Sequence, residues 1–272
     1  MPVSALGLAM AAAVVHALWN VLLARSRDVE AATAVALPCA LVVWAPAVVA
    51  TWRVEASAWP YIVASGCLEL AYFVLLVLGY RVAELSVVYP IARGVAPVLV
   101  LLAAVVVLGR SASGLQVLGV VLVGVGVLLV RGLRGGGPGA LLGLCVALTI
   151  ASYTLVDKTG VTHAAPLAYL ELAMLFPALG YPALVAAVRG PSVLRRGFTL
   201  PTIAAGIASF GAYELVLLAL QRAPAAPVAA VRESSVVIAA LLARRYLREP
   251  VGKARLAGAA AVAGGIAALA LG

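Results

Sequence analysis

Blocks of roughly twenty apolar residues, each closed by a short polar turn, follow one another along almost the whole chain. About 20 apolar residues wound as a helix cross the roughly 30 Å hydrocarbon core of a bilayer. The pattern predicts ten such helices, over 3–23, 31–51, 60–80, 85–108, 113–131, 139–157, 166–188, 199–220, 224–243 and 254–271. The turns between them are short, so sequential helices are antiparallel neighbours. The run from Arg131 to Pro138, half of it glycine, falls at the midpoint and reads as a flexible linker.

The two sides of that linker share an order of features. In each half a helix with proline near its start (Pro90; Pro224 and Pro227) carries an arginine at mid-depth, followed by a polar turn and a small-residue helix. A shift of 139 residues aligns Arg93 with Arg232, Leu108 with Leu247, Gly119 with Gly258 and Gly126 with Gly265. The expected fold is an all-α integral membrane protein of ten transmembrane helices, built as two five-helix repeats over 1–134 and 135–272. An odd number of spans per repeat inverts the second, an arrangement used by many secondary transporters.

Composition sharpens this picture. Mean hydropathy is +1.16, with 65% of residues hydrophobic and 11% charged, too much oil for a soluble surface. The net charge of +9 would suggest nucleic acid in a soluble protein. Here the basic residues sit at helix ends, facing lipid headgroups, so no nucleic-acid partner is expected. Turns after the odd-numbered spans hold Arg25, Arg27, Arg81, Arg131, Arg134, Arg189, Arg195, Arg196, Arg244, Arg245, Arg248, Lys253 and Arg255; the others hold Arg53, Arg110, Lys158 and Arg222. The excess places the odd turns in the cytoplasm and both termini outside, as for a multi-pass protein of a bacterial-type cytoplasmic membrane. The N-terminus lacks the basic region of a cleaved signal peptide. Cys39, Cys67 and Cys145 lie in apolar spans as small hydrophobes, and His16 and His163 are too far apart to suggest a metal pair. No metal or other cofactor is called for, although proton coupling is compatible with the acids present.

Charges inside the membrane cost roughly 2.5–3.5 kcal/mol each on translocon scales and mark cavities or partners. The mid-span charges are Glu69, Arg93, Glu171, Glu214, Arg232 and Glu233, with Asp157 and Lys158 near an end. Buried ion pairs that fix helix register are the structural alternative to function. In the first span His16, Trp19 and Asn20 share one face with Leu23. Glu69 pairs with Tyr72 three residues on, Tyr89 with Arg93 four on, and Tyr153 precedes Asp157 by four. Tyr213-Glu214 repeats the Glu69–Tyr72 theme, and Arg232-Glu233 repeats Arg93. Adjacent helical positions point about 100° apart, which sets Arg232 and Glu233 on different faces and leaves one of them for substrate or proton. Small residues explain packing elsewhere: Ala257, Ala261 and Gly265 form a ridge for close helix approach.

The runs from His16 to Arg25, Tyr89 to Pro97, Val231 to Ser235 and Leu247 to Pro250 resemble the drug/metabolite transporter superfamily, EamA-like branch, over essentially the whole chain. The resemblance implies two inverted five-helix repeats around a central cavity and transport, usually export, of small metabolites. The chain departs from the usual pattern in carrying Gly109-Arg110 where many members have Gly-Glu, and in its external termini. The function expected is a secondary transporter, not an enzyme, that exports a small polar metabolite, amino-acid-like or otherwise zwitterionic or cationic, by alternating access. Its binding residues would be His16, Trp19, Asn20, Glu69, Tyr72, Tyr89, Arg93, Tyr153, Glu171, Tyr213, Glu214, Arg232 and Glu233. It would act as a monomer or homodimer among membrane lipids. A lipid-linked carrier flippase is the alternative, with an intramembrane enzyme behind it.

Overall fold

The computed structural model describes residues 1–24, 26–82, 85–131, 137–238 and 252–272, and these are helical with short connections. The helices are α1 (Val3–Ala24), α2 (Val29–Ala50), α3 (Trp59–Val82), α4 (Leu85–Leu102), α5 (Gly114–Arg131), α6 (Pro138–Gly160), α7 (Pro166–Arg189), a short α8 (Ser192–Gly197), α9 (Leu200–Arg222), α10 (Ala225–Arg232) and α11 (Lys253–Leu271). Their starts carry the expected signals. The Asp28 side chain accepts from the Ala31 amide and Thr199 from Thr202, while Pro138, Pro166 and Pro201 sit in first turns that need no amide donor. Gly190 ends α7 at a φ of +85°, a conformation that disfavours a side chain.

Among the described residues six helices are long and apolar enough to cross a membrane: α1, α2, α3, α6, α7 and α9. Shorter apolar helices run over Ile91–Val107, Gly114–Leu129 and Leu256–Leu271; at 1.5 Å per residue these reach about 25 Å. Three features depart from the sequence reading. The helix after α4 widens into a π-turn over Ala103–Val107, the turn after α7 holds α8, and the span expected at 224–243 breaks after Arg232. Beyond a turn at Glu233-Ser234 the helix resumes and is described to residue 238. The linker at 132–136, the Leu247–Pro250 run and the basic residues Arg25, Arg134, Arg244, Arg245 and Arg248 lie outside the described residues.

The packing exchanges the two halves. α1 packs on α9 while α3 packs on α6, α2 packs on α9 while α3 packs on α7, α4 packs on α6 while α1 packs on α10, and α2–α7 and α5–α11 pair with their own counterparts. Glycines define the last interface. A Cβ on Gly119 would lie 2.8 Å from the Gly265 carbonyl, and one on Gly126 would lie 2.7 Å from that of Gly258. Under the 139-residue shift Gly119 corresponds to Gly258 and Gly126 to Gly265. Each glycine therefore meets the counterpart of the other, the reciprocity of a two-fold contact. Because 119 faces 265 while 126 faces 258, the helices run antiparallel and the two-fold lies across them. The close-approach ridge is thus Gly258, Val262 and Gly265 rather than Ala257, Ala261 and Gly265; the spacing of seven keeps both glycines on one face.

The ends of the bundle agree with this alternation. At one end Arg189, closing α7, bonds Asp28 at 2.7 and 3.0 Å and Glu30 at 2.9 Å at the start of α2. At the other, Val54 and Ala164 form a backbone bridge, and His163 Nδ1 lies 3.3 Å from Glu55 and 3.1 Å from Ser57.

Candidate functional site

Between these ends, charged side chains are withdrawn from solvent: Glu69, Arg93, Asp157, Arg232 and Glu233 are each at most 5% exposed. Burial of this kind requires partners. Arg93 Nη1 donates to Glu233 Oε1 at 3.3 Å, and Arg232 Nη2 donates to the same oxygen at 3.4 Å. Two arginines that correspond in the two halves therefore converge on one carboxylate. This corrects the expectation that Arg232 and Glu233 cannot pair. Glu233 keeps αR geometry (φ −70°, ψ −10°), so the two side chains still leave the backbone on different sides, and it is the long Arg232 guanidinium that folds back to reach the carboxylate.

Arg93 Nη2 also reaches His16 Nε2 at 3.1 Å. A guanidinium only donates, so the imidazole accepts here and carries its proton on Nδ1. The His16 ring meets Trp19 edge-on, with centroids 4.9 Å apart. Asn20, on the same face, spends its amide on the His16 carbonyl of its own helix at 2.7 Å. Glu233 Oε2, Arg232 Nε and Trp19 Nε1 are buried with no hydrogen-bond partner among the described residues. A second group adjoins the first. Glu69 lies within electrostatic range of Asp157, Arg93 and Arg232. Asp157 takes a hydrogen bond from Tyr169 at 2.8 Å and one from Tyr213. The rings of Tyr72, Tyr153 and Tyr213 follow one another edge-on, with centroids 6.3 and 6.0 Å apart.

Two expected members stand apart. Glu171 and Glu214 have no charged group acting on them, and each holds a buried Oε2 with no hydrogen-bond partner among the described residues. For Glu214 the reason is register. Gly66 of α3 packs on α7 while Gly206 of α9 packs on α2, so these two correspond. Glu69 follows Gly66 by three residues, but Ser209 holds that place after Gly206. Glu214 follows by eight and lies on another side of its helix. The side chain of Tyr89 lies outside the described residues. Sequence reading missed Ser65 and Tyr169. Ser65 was legible, four residues before Glu69 on one face of α3; Tyr169, in the first turn of an apolar helix, carried no signal.

Paired guanidiniums, acids and phenols buried together, between halves whose helix contacts exchange, define a polytopic helical membrane protein with a polar centre. The model of the EamA-like transporter family matches residues 3–132 and again 137–271, and the chain belongs to that family, as a membrane transporter of the drug/metabolite type with an internal repeat. Members of the family are transporters, not enzymes. One solved crystal structure, titled only as that of a protein, superposes with a TM-score of 0.77 over 98% of each chain at 16% identity, and so shows the fold alone. No curated protein matches the chain in sequence.

Proposed function

We propose that this chain is a secondary active exporter of a small polar metabolite, amino-acid-like or otherwise zwitterionic or cationic, working by alternating access in a bacterial-type cytoplasmic membrane. Two inverted five-helix repeats, 1–134 and 135–272, rock about their shared polar centre, with both termini outside. The observation that carries this reading is the meeting of Arg93 and Arg232, from opposite halves, at Glu233. Both contacts, at 3.3 and 3.4 Å, are longer than the roughly 2.7–2.9 Å of strong charge-assisted bonds. A substrate carboxylate can take over a guanidinium, and a substrate ammonium can take over the Glu233 oxygen that has no donor. His16, Trp19 and the Tyr72–Tyr153–Tyr213 series wall the site, and Glu69 adds a second acid.

The test is counterflow in proteoliposomes loaded in turn with pooled neutral amino acids, polyamines, sugars or nucleosides. Accumulation of one labelled pool against its gradient, lost in Arg232→Gln, is expected. Equilibration without accumulation would make the protein a channel, and a failure of every pool both to move and to stabilise the folded protein against heat would overturn the reading.

A further inference from the structure

Asp157 is held differently from Glu233, the acid that the two arginines bond. It is 0% exposed, and among the described residues its bonded partners are neutral hydroxyls rather than cations: Tyr169 on Oδ1 and Tyr213 on Oδ2, with Ser65 acting on it from α3. The charged and titratable groups facing it are Glu69 from α3, Tyr169 from α7, Tyr213 from α9 and Arg232 from α10; Arg93 of α4 and Tyr153 of its own helix act on Glu69 beside it. Lys158, next in sequence, bonds the Leu220 carbonyl instead.

Tyr169 is built into this place. Its ring is 1% exposed and lies over Gly160 of α6, where any Cβ would strike it. Its hydroxyl has one hydrogen to share between Asp157 Oδ1 at 2.8 Å and the Tyr61 carbonyl of α3 at 3.2 Å, with Ser65 also acting on it. A phenol cannot serve both fully, and the charge on Asp157 decides between them. With Asp157 ionised, Tyr169 donates to the carboxylate and the Tyr61 carbonyl loses its share. With Asp157 protonated, the new O–H donates to the Tyr169 oxygen, and the Tyr169 hydrogen passes wholly to Tyr61. One proton taken from water thus redistributes the bonds joining α3, α6 and α7, with no change in packing. The junction lies toward one end of the bundle: the Tyr61 ring stacks on His163 at 5.8 Å, where His163 meets Glu55 and Ser57 at the surface.

We propose that Asp157 is the exchangeable proton site of this protein, and that Tyr169 passes its state to the α3–α7 contact at the His163 end. The coupling to transport rests on the carrier reading above; the proton site itself does not. Infrared difference titration of the purified protein in phosphatidylcholine–phosphatidylglycerol vesicles reads the carbonyl stretch of protonated carboxyls. Wild type should show a component that bleaches as pH rises and that Asp157→Asn removes, while Glu171→Gln and Glu214→Gln retain it. Tyr169→Phe keeps the acid and the packing, and should shift that component in wavenumber because its hydroxyl partner is gone. A full wild-type spectrum in Asp157→Asn, or an unshifted component in Tyr169→Phe, would overturn the proposal. If the component behaves as expected and no solute is carried, the carrier reading fails and the proton site stands. If solute is carried with the same pH profile in wild type and Asp157→Asn, the site stands uncoupled and the coupling is overturned.

Discussion

Gly119 of α5 and Gly265 of α11 each present the space that the other's carbonyl oxygen occupies: a Cβ on Gly119 would stand 2.8 Å from the Gly265 oxygen, and one on Gly265 would stand 2.7 Å from that of Gly119. Backbone, unlike a side-chain tip, cannot swing aside. Gly119→Ala and Gly265→Ala should therefore each cost about 1–3 kcal/mol, the usual penalty of overpacking. In a chain of this size that lowers the melting temperature in detergent by a few degrees or more. Gly7→Ala and Gly264→Ala, where a Cβ meets open space, serve as controls and should not fall. Equal melting temperatures for all four variants would count against the glycine interface.

At one end of the bundle Arg189 holds the Asp28 carboxyl below its ordinary range, chiefly through the hydrogen bonds it donates. A depressed carboxyl contributes stability above its unfolded value, near 3.9, and loses it as pH falls through the lower folded value. Asp28→Asn keeps the cap on the Ala31 amide and removes only the charge. The pair is partly exposed, so the variant should be less stable by about 0.5–1 kcal/mol. That deficit should stay constant from pH 8 to 5, shrink as pH falls below the unfolded value toward the lower folded one, and shrink in high salt. Thermal melts across pH measure it, and a deficit that grows on acidification would have the wrong sign for this mechanism.

Glu214→Gln and Glu69→Gln separate the acid that joins the polar centre from the one that does not. Among the described residues Glu214 faces no charge and Glu69 faces three. Replacing Glu214 should leave solute affinity within about twofold of wild type, whereas Glu69→Gln should weaken it tenfold or more, the loss of about 1.4 kcal/mol of charge–charge interaction. Isothermal titration with the transported solute decides; matched losses in both variants would place Glu214 in the site.

The fold was legible because its physics is local. Twenty-residue apolar blocks and the Arg93/Arg232 correspondence each follow from spacing alone. The site was legible where helical periodicity held, as with Ser65, Glu69 and Tyr72 on one stripe. It was not legible where the backbone leaves the helix. The turn at Glu233-Ser234 interrupts the expected span, and nothing in the residues 232–235 announces it. Register between elements was equally hidden. Glu214 resembles Glu69 in its company of tyrosine, yet only the packing of Gly66 on α7 and Gly206 on α2 reveals that the two acids occupy different faces. Tyr169 reaches Asp157 across a helix hairpin, a contact that no sequence period encodes.

Glu233 counters two guanidiniums, and this makes its loss different in kind from the loss of either arginine. In Arg93→Gln, Glu233 still has Arg232 at 3.4 Å, and the buried pair survives with one partner fewer. Glu233→Gln instead leaves Arg93 and Arg232 buried near each other without the carboxylate between them. Breaking a buried pair by removing one partner costs about 3–5 kcal/mol because a charge is stranded. Glu233→Gln should lie at or beyond the upper end of that range and Arg93→Gln below the lower. The double variant Arg93→Gln/Glu233→Gln should be more stable than Glu233→Gln alone, since it removes one of two like charges that no longer share the Glu233 carboxylate. That rescue is the decisive measurement: a double-mutant cycle on thermal or denaturant unfolding in micelles that returned strict additivity would mean the Arg93–Glu233 contact carries no energy.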